Sequence, residues 1–275
     1  MTTHAPIRRR WIWPALALAT ALVGVDRYSR MSWPFQGRLD SILPPVPALP
    51  RAALSGHPAA LVAAADAAES MPRDAASSAE LGRRLHALGF LEAAEQAYRR
   101  AALIEPDRFE YGYLLARSIF EEGRLNDAAA VLDAARRHYD GYLPAAILAA
   151  DLALQRGRPQ EAAIAARRAL ALRTDCAPAI WRLGLATKRQ GDVAAARQHF
   201  LRALQLQPDF GEARYALAMI DRGMAETAAA QRELDRLAGH RGGRDVEDPL
   251  MDAVRALGVN DAPPSDSQAI EPRGK

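Results

Sequence analysis

Cysteine is almost absent: Cys176 stands alone in 275 residues. One thiol excludes an internal disulfide, a Cys-x-x-Cys redox pair and a Cys-x-x-Cys-His haem attachment. Aromatics are only 6% of the chain, which argues against a large aromatic core. Alternating runs of Val, Ile and Thr are scarce, so strands are not expected. The histidines (His4, His57, His86, His138, His199 and His240) are scattered, with no His-Glu-x-x-His spacing. No catalytic residue, metal set or cofactor is therefore assigned. An excess of charge is also missing from the body of the chain. The net charge of +3 equals Arg8, Arg9 and Arg10, and removing them leaves 33 basic and 33 acidic residues. A neutral body argues against a nucleic-acid partner held by bulk electrostatics.

What is abundant is alanine. It is the best helix former and has a small side chain, so helices packed at close range are expected.

The N-terminus has its own character. Behind Arg8–Arg10, residues 11–25 form a charge-free apolar run of 15 residues ending at Asp26. A basic flank before an apolar segment is the plan of a signal anchor or a signal peptide. The run is short of the roughly 20 residues that span a bilayer comfortably. Snorkelling arginines and interfacial Trp11 and Trp13 reduce that deficit. A small-x-small cleavage site exists at Ala19-Thr20-Ala21, but Leu22 to Val25 continue the apolar run past it. Residues 1–26 are thus read as an N-terminal membrane helix, with cleavage as the alternative. Positive charge stays inside, so the expected location is a bacterial inner membrane, single-pass, with the bulk of the chain in the periplasm. Residues 27–56, with Pro34, Pro44, Pro45, Pro47 and Pro50, read as a semi-rigid linker.

Beyond the linker the chain repeats itself. Units of 34 residues at 75–108, 109–142, 143–176 and 177–210 align without an insertion. The fifteenth place is Gly89, Gly123, Gly157 and Gly191. The twentieth is Ala94, Ala128, Ala162 and Ala196, and the twenty-seventh is Ala101, Ala135, Ala169 and Ala203. The twenty-fourth is Tyr98, Leu132, Ala166 and Phe200. Leu81-Gly82 and Leu183-Gly184 occupy the seventh and eighth places of the first and fourth units. Upstream, Ala60, Ala64, Ala67 and Pro72 continue the phase as a half-repeat at 57–74, with one helix at about 57–70. Downstream, 211–242 is a degenerate fifth unit whose second helix is expected at 226–238. The tail, 243–275, contains a short helix at about 248–257, with Leu250, Val254 and Leu257 on one face.

The pattern of Leu-Gly, then Gly, then Ala-x-x-x-aromatic-x-x-Ala and Pro resembles the tetratricopeptide repeat. The resemblance implies an all-α fold: a right-handed superhelical α-solenoid of antiparallel helix hairpins at 57–242. It also implies a concave face lined by the first helix of each hairpin, which holds peptides or partner helices and does no chemistry. Places 5, 9 and 12 of each unit would line that groove. They are Arg83 and His86 in the first unit, Tyr113, Arg117 and Phe120 in the second, and Ile147, Asp151 and Leu154 in the third. Trp181, Leu185 and Lys188 follow in the fourth, and Tyr215, Met219 and Arg222 in the fifth. The other reading of these side chains is that they pack against neighbouring hairpins and the tail helix. The pairs Arg99-Arg100, Arg136-Arg137 and Arg167-Arg168 read as the solvated convex side.

Anchor followed by repeats looks like the plan of envelope scaffolds, such as the repeat subunits of cytochrome c maturation or of exopolysaccharide assembly. The expected function is a scaffold or adaptor that binds a partner protein or peptide. The competing expectation is a homo-oligomer in which the tail helix docks into a neighbouring copy's groove.

Overall fold

The computed structural model describes residues 43–49, 59–223, 231–232 and 245–261. The expected membrane helix at 11–25 lies outside these residues, and so does the second helix of the fifth unit except at 231–232. No described helix is long and apolar enough to cross a membrane. Among the described residues there are eleven helices and no strand.

The helices are α1 (Ala59–Ser70), α2 (Ala75–Ala87), α3 (Leu91–Ile104), α4 (Phe109–Glu121), α5 (Leu125–His138) and α6 (Leu143–Gln155). They continue with α7 (Pro159–Leu172), α8 (Ala177–Arg189), α9 (Val193–Leu206), α10 (Gly211–Gly223) and α11 (Pro249–Asp261). From α1 to α10 each helix packs on the next, so the chain forms a stack of hairpins.

The glycine ladder ends each first helix. Gly89, Gly123, Gly157 and Gly191 have φ of 79, 78, 69 and 94°, a left-handed conformation costly for residues with a Cβ. Each N–H after the glycine turns back five residues: Phe90 to Leu85, Arg124 to Ile119, Arg158 to Ala153 and Asp192 to Thr187. This is the Schellman closure, which satisfies carbonyls the helix end would leave bare. The next helix starts within two or three residues, so the hairpin angle repeats every 34 residues.

The alanines at places 20 and 27 are buried in all four units. Their small side chains let the two helices of a hairpin approach closely. Where the eighth place is glycine, an aromatic ring from the second helix lies over it. A Cβ on Gly82 would come within 2.7 Å of Tyr98, and one on Gly184 within 2.6 Å of Phe200. Two first helices, α6 and α8, begin with proline at N1 or N2, where the missing N–H has no partner to lose. At α2 the cap is Asp74, whose carboxylate accepts from the Ser77 N–H at 2.8 Å.

Two segments outside the repeats join the stack. Residues 43–49, inside the stretch read as a linker, lie against the first core cluster through Val46 and Leu49. They are held by Arg100, which donates to the carbonyls of Pro44 and, at 2.7 Å, of Pro72. Arg100 is buried, a correction to its reading as a solvated convex residue. Its two Nη atoms meet these carbonyls, and its Nε is buried without a hydrogen-bond partner among the described residues. The second segment is α11, which packs on α2 and α4.

Candidate functional site: the face of the first helices

The tail crosses the first helices of four units in reverse order. At α8, Asp245 meets Arg182 at 3.0 Å. At α6 and α8, Val246 packs on the cluster of Ala146, Ile147 and Ala179. At α4 and the start of α6, Asp248 accepts from the hydroxyls of Tyr113 and, at 2.7 Å, Tyr142. Beyond that, Met251 and Val254 enter the first core cluster with Leu81, Leu85 and Tyr113. The chain's own tail therefore runs along this face from the fourth unit to the first, with α11 itself over the first two.

Asp248 is the joint of this arrangement. It is the residue before α11, and its carboxylate also accepts from the Met251 N–H at 3.2 Å. That is the N-cap geometry, in which a side-chain oxygen satisfies a bare donor of the first turn. One carboxylate thus starts the helix and fastens it to the groove. The receiving hydroxyls belong to an aromatic cluster: Tyr113 and Tyr142 sit edge to face at 5.1 Å, and Phe109 stacks on Tyr113 at 5.8 Å. Burial first, and then the negative charge of Asp248, push the phenol pKa of Tyr113 well up. Burial and the hydrogen bond to Asp248 do the same for Tyr142. Both remain protonated donors.

Arg182 is the second joint. It lies almost wholly inside the protein and forms a two-pronged pair with Asp151 at 2.7 and 2.8 Å, while its other edge meets Asp245. Burial works against its charge, and the two carboxylates more than offset that, so its pKa is raised. A planar guanidinium suits two carboxylates at once.

The sequence-derived groove residues divide into three sets. His86, Tyr113, Ile147 and Leu154 are buried; Arg83, Arg117, Phe120, Asp151, Trp181, Leu185 and Met219 are half-buried; Lys188, Tyr215 and Arg222 are exposed. His86 faces Tyr98 (rings 5.9 Å apart) and Glu121, with Nε2 2.9 Å from Oε2. Burial raises the Glu121 carboxyl pKa, but His86 and Arg117 more than reverse this and leave it lowered. His86 and Glu121 thus form an interior contact between units, and an open groove position at His86 is corrected accordingly. Tyr113 lies beneath α11. Trp181 leans on Phe210 at 5.6 Å, and its indole N–H is buried without a hydrogen-bond partner among the described residues. Tyr215, on α10, is 52% exposed.

Sequence reasoning missed Tyr142, Arg182, Asp245, Asp248 and Met251. The first two stand at places 34 and 6 of their units, outside the groove register. Asp248 before Pro249 reads as a helix start, and this holds; what the sequence does not show is its contact with Tyr113 and Tyr142. The tail helix packs on the chain's own first helices, as the second reading of the groove side chains expects. Its tether keeps it at a high local concentration relative to any second copy. Among the described residues no cluster of three His, Cys, Asp or Glu side chains could hold a metal.

Comparison with known proteins agrees with this geometry. The family model described as tetratricopeptide repeat matches residues 177–210, the fourth full unit. No curated protein matches the sequence. The solved structure of MamA protein is 21% identical, covers 59% of this chain and 89% of that one, and superposes with a TM-score of 0.55. A second MamA, residues 41 to the end, from Desulfovibrio magneticus RS-1, is 17% identical over 60% of this chain and 93% of that one, at 0.56. YrrB, a TPR protein with an unusual peptide-binding site, is 16% identical over 73% of this chain and 98% of that one, at 0.55. These likenesses show the fold: the chain is an all-α solenoid of tetratricopeptide-type hairpins.

Proposed function

We propose that this chain is a non-catalytic scaffold, tethered to a membrane by residues 11–25, that holds a helical segment of a partner protein on the face of its first helices. One observation carries the reading: that face already seats an amphipathic helix, α11, through apolar side chains and two gripped carboxylates. The description of YrrB as having a peptide-binding site supports a binding role for hairpins of this type. The half-buried Trp181, Leu185 and Met219 with exposed Tyr215 give the far half of the face the apolar character of a binding surface. The basic flank and apolar run at residues 8–25 support an inner-membrane location with the solenoid in the periplasm. Assembly, export or maturation of an envelope complex is the role that fits this plan.

The test is site-specific photo-crosslinking in cells, with the probe at Tyr215 or Met219 of the full chain. Crosslinks to a distinct protein, lost when Leu185 is changed to Asp, are expected. Crosslinks confined to second copies of the chain would replace the scaffold reading with self-association. Recovery of the chain in the soluble fraction after alkaline extraction of membranes would remove the tether.

A further inference from the structure

The helix α11 does not follow the 34-residue register, and residues 224–248 separate it from α10. It packs on α2 and α4, outside the hairpin pairings of α2 with α3 and of α4 with α5. Its contacts are nevertheless specific in charge and spacing. Asp248 is held by two tyrosine hydroxyls, and Asp245, three residues earlier, by a buried guanidinium. Met251 and Val254, three and six places after the cap, are buried apolar residues of the helix. These are features of a bound ligand helix: a carboxylate that fixes its start, a second that fixes its direction, and a stripe that fills the floor.

Resting on the scaffold reading above, we infer that α11 is an internal ligand, and that the external partner of this face is an amphipathic helix of the same plan. Such a partner carries an Asp or Glu at its N-cap, a second acid three residues before the cap, and apolar residues three and six places after it. Complementarity comes from the groove. Tyr113 and Tyr142 offer neutral donors at the cap position, and Arg182 is a nearly fully desolvated cation that already meets the tail's Asp245. A basic segment would place its charge against Arg182 and leave both hydroxyls unmatched. Partner binding requires the tail to leave, so its apparent affinity is lowered by the fraction of chains whose groove is open.

The probe is a labelled peptide with the sequence of residues 244–261, titrated by fluorescence anisotropy against the full chain. The comparison is a full chain with its tail weakened by Asp248→Asn and Met251→Asp. The weakened chain is expected to bind the peptide at least tenfold more tightly than the unaltered chain. A peptide carrying the Asp248→Asn change should lose about tenfold on the weakened chain. Tyr113→Phe with Tyr142→Phe, placed in the weakened chain, should lose a similar factor without loss of helix content.

Equal binding by both chains would overturn the inference, and so would equal binding by both peptides. If the weakened chain loses its helical circular dichroism, α11 is a fixed part of the core and the inference fails. Dimers of the unaltered chain that disappear when the tail is weakened would also overturn it, in favour of exchange between copies. If the folded weakened chain ignores the peptide while Tyr215 still crosslinks a partner, the scaffold reading stands and only the acidic-helix partner falls.

Discussion

Tyr142 donates its hydroxyl to Asp248 at 2.7 Å across 106 positions of sequence, and Tyr113 shares the same carboxylate. Three buried or half-buried phenols, Tyr98, Tyr113 and Tyr142, have raised pKa values, with burial the largest cause in each. A pKa raised by folding contributes stability that is complete below the unfolded value and lost as pH climbs toward the folded one. For tyrosine the unfolded value is about 10. The chain should therefore be insensitive to pH between neutrality and about 9.5, then lose stability steeply above 10. Absorbance at the phenolate band should show these tyrosines ionising together with loss of helix. Smooth titration of all seven tyrosines with the helices intact would contradict the burial described here.

The rings over glycine make a second prediction. At Gly184 a Cβ would press on the Phe200 ring at 2.6 Å, and Phe200 is fully buried, so it cannot swing clear. Gly184→Ala should cost about 1–3 kcal/mol, the range for overpacking a core. Phe200→Leu in the same chain should return part of that loss, because the smaller side chain reopens the space. Denaturant melts of the two variants and their combination check this. If the two losses simply add, the pair does not interact and the packing argument is wrong.

The repeat register was legible because each signature place answers to one local requirement. Gly191 must turn left-handed, Ala196 must let helices meet, and Phe200 must fill the space over Gly184. Such requirements act over a few residues and leave a period in the sequence. The site was less legible, because its key contacts join residues from separate units. Nothing near Arg182 in sequence announces Asp245, and nothing near Tyr142 announces Asp248. Places 5, 9 and 12 mark the lining of a groove in general terms and do not say what lies in it. Here His86 turned inward to Glu121, and Tyr113 met the tail. Arg100 looked like half of a solvated pair because the proline-rich segment that covers it comes from the far side of α1.

Arg182 should be the most sensitive charge in the chain. Its removal leaves Asp151 and Asp245 facing each other, and Asp151 is only partly open to water. Breaking a buried pair from one side costs about 3–5 kcal/mol, and partial exposure of the acids puts Arg182→Ala near the lower end. Asp245→Ala should cost under about 1 kcal/mol, because that carboxylate is mostly exposed. Arg182→Lys should fall between them, since an ammonium cannot meet two carboxylates with a planar fork. Thermal melts of the three variants test the order. A chain more sensitive to loss of Asp245 than of Arg182 would show that the tail, and not the pair within the stack, carries the stability.

Arg100 offers the last test, because it fastens the proline-rich segment to the solenoid. Its guanidinium serves the carbonyls of Pro44 and Pro72 together, and burial lowers its pKa, so its stability is tied to those acceptors. Removing it leaves two carbonyls without their charged donor, at about 1.5–3 kcal/mol for hydrogen bonds to a charged group. That loss falls on a short segment held otherwise by Val46, Leu49 and buried Pro47, and so should appear as local opening before global unfolding. In Arg100→Ala, elastase should cut the Ala48–Leu49 bond at least several-fold faster than in the unaltered chain, while the solenoid from α1 onward survives. Arg100→Lys should give intermediate protection, since one ammonium on a flexible stem reaches one carbonyl well and the second poorly. Unchanged cleavage in Arg100→Ala would mean that the apolar contacts alone hold the segment, and that the orientation of the stack relative to its N-terminal side does not depend on this arginine.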